Sequence, residues 1–421
     1  MMSTVPFVIV ATVTVIVATV SGKESSRHEI LRGHQIWQLS NDVGDVPLEV
    51  MQKGLLDVLG HFGTSKKVRV PFHCLEEAQR LLQEKGVSRE ILVEDLATYL
   101  EDHERLSKRS ATMKSDAYNC SQPRHDDYMT FEEMECFLKR LSEDNPRASL
   151  TSIGKSFENR DLWMVHVRPN DPSDSEEAGA VWIEAGIHAR EWISPAVALH
   201  ILKELVQDNG SIGNFDVYVV PMANPDGYNY SFTSDRMWRK NRRITSQPGC
   251  GGVDLNRNWD FHYGVGASEN ECSEVYRGSE PFSEPETKAL RDAMTKVKDQ
   301  LKVVMSLHSY GQQLLYPWGY TKHKTAPDTS DLIARGKVFA DAAKSVHNTV
   351  YKVVNSAGDL YKASGATDDW AKGVLGVKYT YTLELRDEGM SGFNLDPSHI
   401  VPCSEEVWEG LRALLNEISK E

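Results

Sequence analysis

Four mostly apolar stretches rich in β-branched and aromatic residues constrain the fold of this chain most strongly: AVWIEAGIH, FDVYVVPMAN, KVVMSLHSYG and VKYTYTLEL. A strand with one solvated face alternates polar and apolar residues, whereas these stretches are largely apolar on both faces and are typical of central strands in a covered sheet. Helix-like segments separate them, with Ser194 and Ser283 as predicted N-caps. The pattern predicts an α/β fold with helices on both sides of the sheet.

Residues 23–100 form a smaller predicted α+β unit. HQIWQLS and KKVRVPF have strand character, and LEEAQRLLQEKG is an amphipathic helix that ends before Gly86. The next stretch, YLEDHERLSKRSATMKSD, is almost entirely polar, which is typical of a protease-sensitive linker. We predict a maturation cut between Arg109 and Ser110. The alternative is an uncut, exposed helix end. Further on, Thr130 and Glu133 have the spacing of a capping box.

The chain begins with an apolar run from Val5 to Val20 that turns polar after Gly22. The run is short for a membrane span, which needs about 20 apolar residues, and its small terminal residues suit signal-peptide cleavage. We therefore predict a secreted, extracellular protein with no membrane attachment after cleavage, and a short membrane anchor is the alternative. The six cysteines could then pair as disulfides. The formal charge of −14 argues against a nucleic-acid partner.

Four groups with metal or acid–base chemistry follow three of the predicted strands. His188 and Glu191 come after AVWIEAGI, His308 ends KVVMSL, and Glu384 lies near the end of KYTYTLE. Ligands gather at the carboxyl ends of strands in open α/β sheets, and two imidazoles with one carboxylate suit a zinc ion that keeps one position open. Spacing alone proves little, because His73 and Glu76 repeat it by coincidence in the N-terminal unit.

An ordered series of motifs runs from residue 188 to residue 389: HAREW, WRKNR, VDLNRNWD, LHSYGQQLLYPWGY, YKASGATDDW and TLELRDEG. In these motifs the chain resembles the secreted zinc metallocarboxypeptidases of the pancreatic A/B type, which are made as zymogens. The resemblance that these motifs carry covers nearly the whole chain after residue 22. The resemblance implies a mixed central sheet preceded by a small α+β pro-domain. It also implies a signal peptide (1–22), an activation segment (23–109) and a catalytic domain (110–421), in a monomer with one zinc ion. The substrates would be peptide or protein C-termini, and a trypsin-like protease would activate the zymogen.

The resemblance also implies a role for each matching residue. His188, Glu191 and His308 would bind zinc, and Asp254 would orient a ligand imidazole. Glu384 would act as general base towards a zinc-activated water, and Arg239 would polarise the scissile carbonyl. The substrate-binding residues would be Arg190, Asn256, Arg257, Ser309, Tyr310, Tyr361, Asp368 and Phe393. Among these, Asn256, Arg257 and Tyr361 would clamp the terminal carboxylate, with Arg190 on the approach side. Cys250 and Cys272 match a family disulfide, and Cys74, Cys120, Cys136 and Cys403 stay unassigned.

Asp368 stands where enzymes of the B type carry aspartate, so the resemblance favours removal of C-terminal Lys or Arg. Gly319 and Ser356 depart from the B pattern, in which these two small residues are exchanged, and leave the pocket shape open. One alternative is the same chemistry with a preference for apolar or other residues, with Asp368 and Asp369 in a solvated turn. A second is a non-catalytic binding protein, although every catalytic and zinc-binding position is retained.

Overall fold

The computed structural model describes most of the chain after the predicted signal peptide. The described residues are 27–40, 46–62, 65–110, 118, 120–169, 179–208, 210 and 215–421. The predicted signal peptide, 1–22, lies outside them. Within these ranges, no helix has the length and apolar character needed to cross a bilayer.

The N-terminal domain is a four-stranded antiparallel sheet with helices, as predicted. Its elements are β1 (Gln35–Leu39), α1 (Val46–Gln52), β2 (Asp57–Phe62), β3 (Ser65–Val70), α2 (Leu75–Glu84), β4 (Arg89–Val93) and α3 (Leu96–Ser110). The strand order is β2-β3-β1-β4. The predicted linker is helical as far as Ser110, because Leu96, Ala97 and Leu100 form one buried face of α3. The predicted cleavage position therefore lies at the end of a helix.

The C-terminal domain continues the numbering of helices and strands. Its elements are α4 (Phe131–Asp144), β5 (Ala148–Lys155), β6 (Asp161–Val167), β7 (Ala180–Ala185), α5 (Ile193–Gln207), β8 (Asp216–Val220), α6 (Pro225–Thr233), α7 (Pro285–Val297), β9 (Leu301–His308), β10 (Gln313–Tyr316), α8 (Thr329–His347), β11 (Lys352–Asn355), α9 (Thr367–Gly373), β12 (Tyr379–Glu384) and α10 (Ile400–Ile418). The sheet is mixed, and its order is β11-β10-β12-β9-β7-β8-β6-β5.

Both faces of this sheet are covered, which confirms the predicted fold class. Val181, Ile183 and Ala185 of β7 belong to the core shared with α4, α5, α8 and α10. Ala180 and Trp182 belong to a second core with α7 and α9. Because successive side chains of a strand point to opposite faces, the two cores lie on opposite sides of β7. The four central strands β8, β7, β9 and β12 are parallel, so their carboxyl ends share one edge.

The helix starts were predicted with mixed success. The capping box of Thr130 and Glu133 is present at the start of α4. The other two N-cap predictions were wrong. Ser194 lies inside α5, where its hydroxyl donates to the carbonyl of Glu191 (2.9 Å). Helix α7 begins at Pro285, two residues after Ser283, because the fixed φ of proline favours the first helical position.

Two disulfides are present among the described residues. Cys250 pairs with Cys272, as the resemblance implied, and Cys120 pairs with Cys136, which the sequence left open. Cys74 and Cys403 are buried free thiols. Disulfides of this kind are consistent with an oxidising, extracellular environment.

Candidate active site

The shared edge of the parallel strands brings the predicted metal ligands together. His308 is the last residue of β9, and it pairs in register with Glu384, the last residue of β12. His188 follows the end of β7 by three residues, and Glu191 lies between it and the start of α5. The sheet topology therefore produces the convergence that the sequence predicted.

A cavity of about 430 Å³ opens at this edge. Every residue that the sequence assigned to metal binding, catalysis or substrate binding lines it, with the exception of Asp254, which lies behind His188. The lining residues from that prediction are His188, Arg190, Glu191, Arg239, Asn256, Arg257, His308, Ser309, Tyr310, Tyr361, Asp368, Glu384 and Phe393.

Three buried ligand atoms meet in the cavity wall. The Nδ1 atoms of His188 and His308 are 3.1 Å apart, and the Glu191 carboxylate lies 2.8 Å from the first and 3.1 Å from the second. Two nitrogens bound to one tetrahedral zinc at the usual 2.0–2.1 Å lie roughly 3.4 Å apart. The three side chains thus fit a single zinc ion after a small outward adjustment. Their two nitrogens and one carboxylate are the donor set of a catalytic zinc site with an open position.

A buried carboxylate supports this cluster from behind. Asp254 accepts a hydrogen bond from His188 Nε2 at 3.1 Å, which leaves Nδ1 to face the cluster. Its other oxygen accepts from Arg239 Nε and Nη2 at 3.2 and 2.9 Å. Burial alone would raise the pKa of Asp254, but Arg239, Arg257 and His188 hold it well below its ordinary value. Burial also lowers the pKa of His188, which favours the neutral imidazole that a metal requires.

Glu384 lies beside the cluster. Burial raises its pKa to about 7, with a further rise from Glu191, although His308, Arg239 and Arg257 act in the opposite direction. A carboxylate with a pKa near neutrality can both accept and return a proton, which is the property of a general base that later acts as an acid. The Nη1 atom of Arg239 lies 3.9 Å from Glu191, so that end of the guanidinium faces the same space.

The predicted carboxylate clamp forms one side of the cavity. Arg257 Nη1 donates to the carbonyl of Asn256 at 2.7 Å, and Nη2 donates to the Tyr361 hydroxyl at 3.4 Å. The Asn256 side-chain oxygen accepts from the backbone N–H of Thr367 at 3.1 Å. No carboxylate lies within 4 Å of the Arg257 guanidinium in the described parts of the chain. Its charge is therefore available to an anionic ligand.

The predicted specificity residue Asp368 is buried in the first turn of α9, with only 3% of its surface exposed. Asp369 is also buried, and it accepts backbone N–H groups of Gly319 and Tyr320 at 2.9–3.0 Å. The alternative of a solvated turn is therefore wrong. Burial raises the pKa of Asp368, and backbone N–H groups and the Thr382 hydroxyl offset this only in part. Among the described residues, no Lys or Arg nitrogen lies within 4 Å of Asp368.

Gly319 and Ser356 face each other near this pocket. A Cβ on Gly319 would lie 3.6 Å from the Cβ of Ser356 and only 2.8 Å from the carbonyl oxygen of Ala363. The backbone here has no room for a side chain at position 319 without a shift of residue 363. This close approach gives a physical reason why the larger of the two residues stands at position 356.

The family model for zinc carboxypeptidases matches residues 134–410. The chain belongs to this family. His188, Glu191 and His308 are accordingly the zinc ligands of a metallocarboxypeptidase.

Relatives of the enzyme include both A-type and B-type carboxypeptidases. The sequence is 41% identical to carboxypeptidase B of Astacus astacus over 69% of this chain and 96% of that protein. It is 35% identical to carboxypeptidase A1 of Mus musculus over 97% of this chain and 98% of that protein. The crystal structure of carboxypeptidase A from Helicoverpa armigera superposes with a TM-score of 0.84 at 29% identity, and covers 93% of this chain and 98% of that one.

The N-terminal domain of the enzyme covers the cavity, and sequence reasoning missed its contacting residue. Asp57 of β2 forms a two-pronged ion pair with Arg190, and both side chains are almost fully buried. The ring of Phe393 lies under the same guanidinium at 4.4 Å. Gly60 approaches the cavity so closely that a Cβ there would be 2.8 Å from the Tyr310 hydroxyl.

A second ion pair crosses the same interface. Arg69 of β3 donates to Glu274 of the C-terminal domain at 2.5 Å and lies 3.5 Å from Asp57. The two domains are therefore joined by a row of alternating charges, in which Arg190, Asp57 and Arg69 are buried and Glu274 is half-buried. Burial alone would raise the pKa of Asp57, but Arg190 and Arg69 hold it below its ordinary value.

Proposed function

We propose that the chain is a secreted zymogen whose mature domain removes C-terminal Lys or Arg from peptides and proteins. In this proposal residues 1–22 are the signal peptide, 23–109 the inhibitory pro-segment and 110–421 the catalytic domain. The observation that carries the substrate preference is the buried carboxylate of Asp368, which lines the cavity and has no Lys or Arg beside it among the residues that the structure describes.

A cationic side chain of the substrate would compensate the buried charge of Asp368. An isolated buried carboxylate is costly, and a Lys or Arg side chain in the pocket would supply the missing charge. An apolar side chain would desolvate Asp368 further without giving it a partner. The negative charge of the whole chain also attracts basic peptides. Similarity to a carboxypeptidase B agrees with this preference. Similarity to A-type enzymes is the argument for the alternative, a preference for apolar terminal residues.

Recognition of the free terminus is assigned to Arg257, Asn256 and Tyr361, with Arg190 further out. A guanidinium can pair with a carboxylate through two parallel hydrogen bonds, which a lysine cannot do. Fixing the terminus places the last peptide bond, and no other, against the catalytic groups. The restriction to one residue per cleavage follows from this geometry. Ser309, Tyr310 and Phe393 line the remaining approach to the cavity.

The hydrolytic step is assigned to Glu384 and Arg239. Zinc, when bound, supplies a Lewis acid and lowers the pKa of a water molecule to about 7. Glu384 takes a proton from the attacking water and returns it to the leaving amine nitrogen. Arg239 donates through Nη1 to the scissile carbonyl oxygen, because Asp254 already occupies its Nε and Nη2 groups. Removing one such oxyanion donor typically costs about 10²–10³ in rate.

Inhibition before cleavage is assigned to the row of charges at the domain interface. Asp57 occupies the guanidinium of Arg190 that the substrate would meet, and Gly60 narrows the cavity beside Tyr310. Because the pKa of Asp57 in the docked state is below its ordinary value, its contribution to docking is complete above pH ~4 and is lost progressively as the pH falls from there to the lowered pKa. A trypsin-like cut after Arg109 would break the covalent link between the two domains, so that the N-terminal domain could dissociate.

Replacing Asp57 by Asn in the uncleaved chain should raise its residual activity. Breaking a buried ion pair by removing one partner costs about 3–5 kcal/mol, so the domain interface should open more often by a factor of about 10²–10⁴. The measurement is hydrolysis of a small C-terminal Arg substrate, with mass spectrometry to verify that the chain is intact. Glu49→Gln is the matched control, because Glu49 pairs with Lys85 on the exposed side of the same domain. Equal activity of D57N and E49Q would remove Asp57 from the inhibitory contact.

The proposed function is tested by a cleavage profile after limited trypsin treatment. Sequencing should give Ser110 as the new N-terminus, and peptides that differ only in their last residue should be compared. We expect kcat/KM for terminal Arg and Lys to exceed that for Phe and Leu by at least about 10²-fold, the usual penalty for leaving a buried charge unpaired. A Phe preference would instead support the apolar alternative, and failure to release any terminal residue would contradict the function.

A further inference from the structure

His188 and His308 present the same ring nitrogen to the zinc site, yet their outer nitrogens have different partners. His188 Nε2 contacts the Asp254 carboxylate directly at 3.1 Å. His308 Nε2 contacts the Ser306 hydroxyl at 3.0 Å, and that hydroxyl lies 3.1 Å from Glu184 Oε1. Glu184 and Ser306 lie in two of the predicted central strands, but the sequence pattern assigned neither of them a role. Their arrangement nevertheless ends on a zinc ligand.

The sheet itself builds this chain of contacts. Glu184 of β7 and Ser306 of β9 are opposite each other in the parallel register. His308 is two residues beyond Ser306, and residues i and i+2 of a strand point to the same face. All three side chains have 1% or less of their surface exposed. Water therefore does not compete for their hydrogen bonds, and these bonds can hold the His308 ring in one orientation.

The direction of each hydrogen bond follows from zinc binding. A metal ligand nitrogen must be unprotonated, so the neutral His308 ring with Nδ1 at the zinc carries its proton on Nε2. Nε2–H then donates to Ser306 Oγ, and the serine hydrogen is directed to Glu184 Oε1. Trp182 Nε1 donates to the other Glu184 oxygen at 3.4 Å. Among the described residues, no Lys or Arg nitrogen lies within 4 Å of Glu184.

We propose that Ser306 and Glu184 are positioning residues that hold His308 in its zinc-binding tautomer and orientation through a relayed hydrogen bond. This relay would do for His308 what Asp254 does for His188. The inference concerns the zinc site alone and is independent of the preference for Lys or Arg. Removing the outer partner of a metal-bound histidine typically weakens metal affinity by about 10–100-fold.

The test is a zinc dissociation constant for the purified full chain, measured by competition with a chromophoric chelator. Ser306→Ala should weaken zinc binding by about 10–100-fold. Glu184→Gln keeps an oxygen that can accept from Ser306 and should stay within about threefold of the unmodified chain, whereas Glu184→Leu should resemble Ser306→Ala. If Ser306→Ala does not fold, the comparison of Glu184→Gln with Glu184→Leu tests the relay.

Thr380→Val is the matched control. Thr380 is a buried residue of β12, the other neighbour of β9, and its hydroxyl has no hydrogen-bond partner within the described structure. Its replacement removes a buried hydroxyl without touching the relay, so zinc affinity should not change. The proposal is overturned if Ser306→Ala and Glu184→Leu bind zinc as tightly as the unmodified chain. It is equally overturned if Thr380→Val weakens zinc as much as they do, because the effect would then be general loosening of the core.

Discussion

Glu384→Gln should reduce kcat of the processed enzyme by about 10²–10⁴-fold, which is the usual contribution of a general acid–base group. Glutamine has nearly the same shape but cannot take up a proton from water. Because Glu384 is not among the three zinc ligands, the zinc content of the variant should equal that of the unmodified enzyme. KM should change little, since the terminal clamp and Asp368 are intact. The measurement is steady-state hydrolysis of a C-terminal Arg peptide together with metal analysis.

Glu388→Gln is the control for this prediction. Glu388 lies four residues further along the chain, is exposed and lines the same cavity. Its replacement changes the net charge by the same amount but removes no buried group, so activity should remain within about twofold. If Glu384→Gln kept most of its activity, or if it lost zinc, the assignment of Glu384 as general base would be wrong.

Asp368→Ala should lose activity towards basic termini selectively. Without the carboxylate, a bound Lys or Arg side chain would be buried unpaired, at a cost of about 3–5 kcal/mol, so kcat/KM for terminal Arg should fall by about 10²–10⁴-fold. Activity on an otherwise identical peptide ending in Phe should stay the same or rise, because the Phe side chain of the substrate would no longer be placed against a carboxylate. The Phe peptide is the internal control for folding and for zinc content.

A parallel loss on both peptides would mean that Asp368 supports the fold of α9 and not the choice of substrate. Asp369 provides the comparison, since its carboxylate accepts backbone N–H groups of Gly319 and Tyr320. Asp369→Ala should lose activity on both peptides alike. Replacement by alanine is thus expected to cause a selective loss at position 368 and an unselective loss at position 369.

The sequence predicted the fold class and the meeting of the zinc ligands because both follow from local patterns. Apolar strands that require cover on both faces predict a central sheet, and the polar residues at their ends meet at one edge. His308 and Glu384 illustrate this, because register pairs the last residues of two neighbouring parallel strands. The roles of the other cavity residues came from the resemblance, and the structure supplies their positions and partners.

Side-chain pairings between distant parts of the chain could not be predicted from the sequence. Asp57 and Arg190 are 133 residues apart, and a chain with 47 Lys and Arg and 61 Asp and Glu offers far too many possible ion pairs. The Cys120–Cys136 disulfide was open because four unassigned cysteines allow several pairings. Glu184 did leave a signal, namely a single acid in an otherwise apolar strand. Periodicity predicts the face of a strand, but only the register of β7 against β9 places Ser306 opposite that acid.

The most direct test of the central claim is the zinc content of two variants of the full chain, because the sequence contains two His-x-x-Glu pairs. His188 and Glu191 converge with His308, whereas His73 is exposed in the N-terminal domain. Metal analysis should find one zinc per chain in the unmodified protein and in His73→Ala, and essentially none in His188→Ala after dialysis against a weak chelator. Retention of zinc by His188→Ala, or its loss from His73→Ala, would contradict the account.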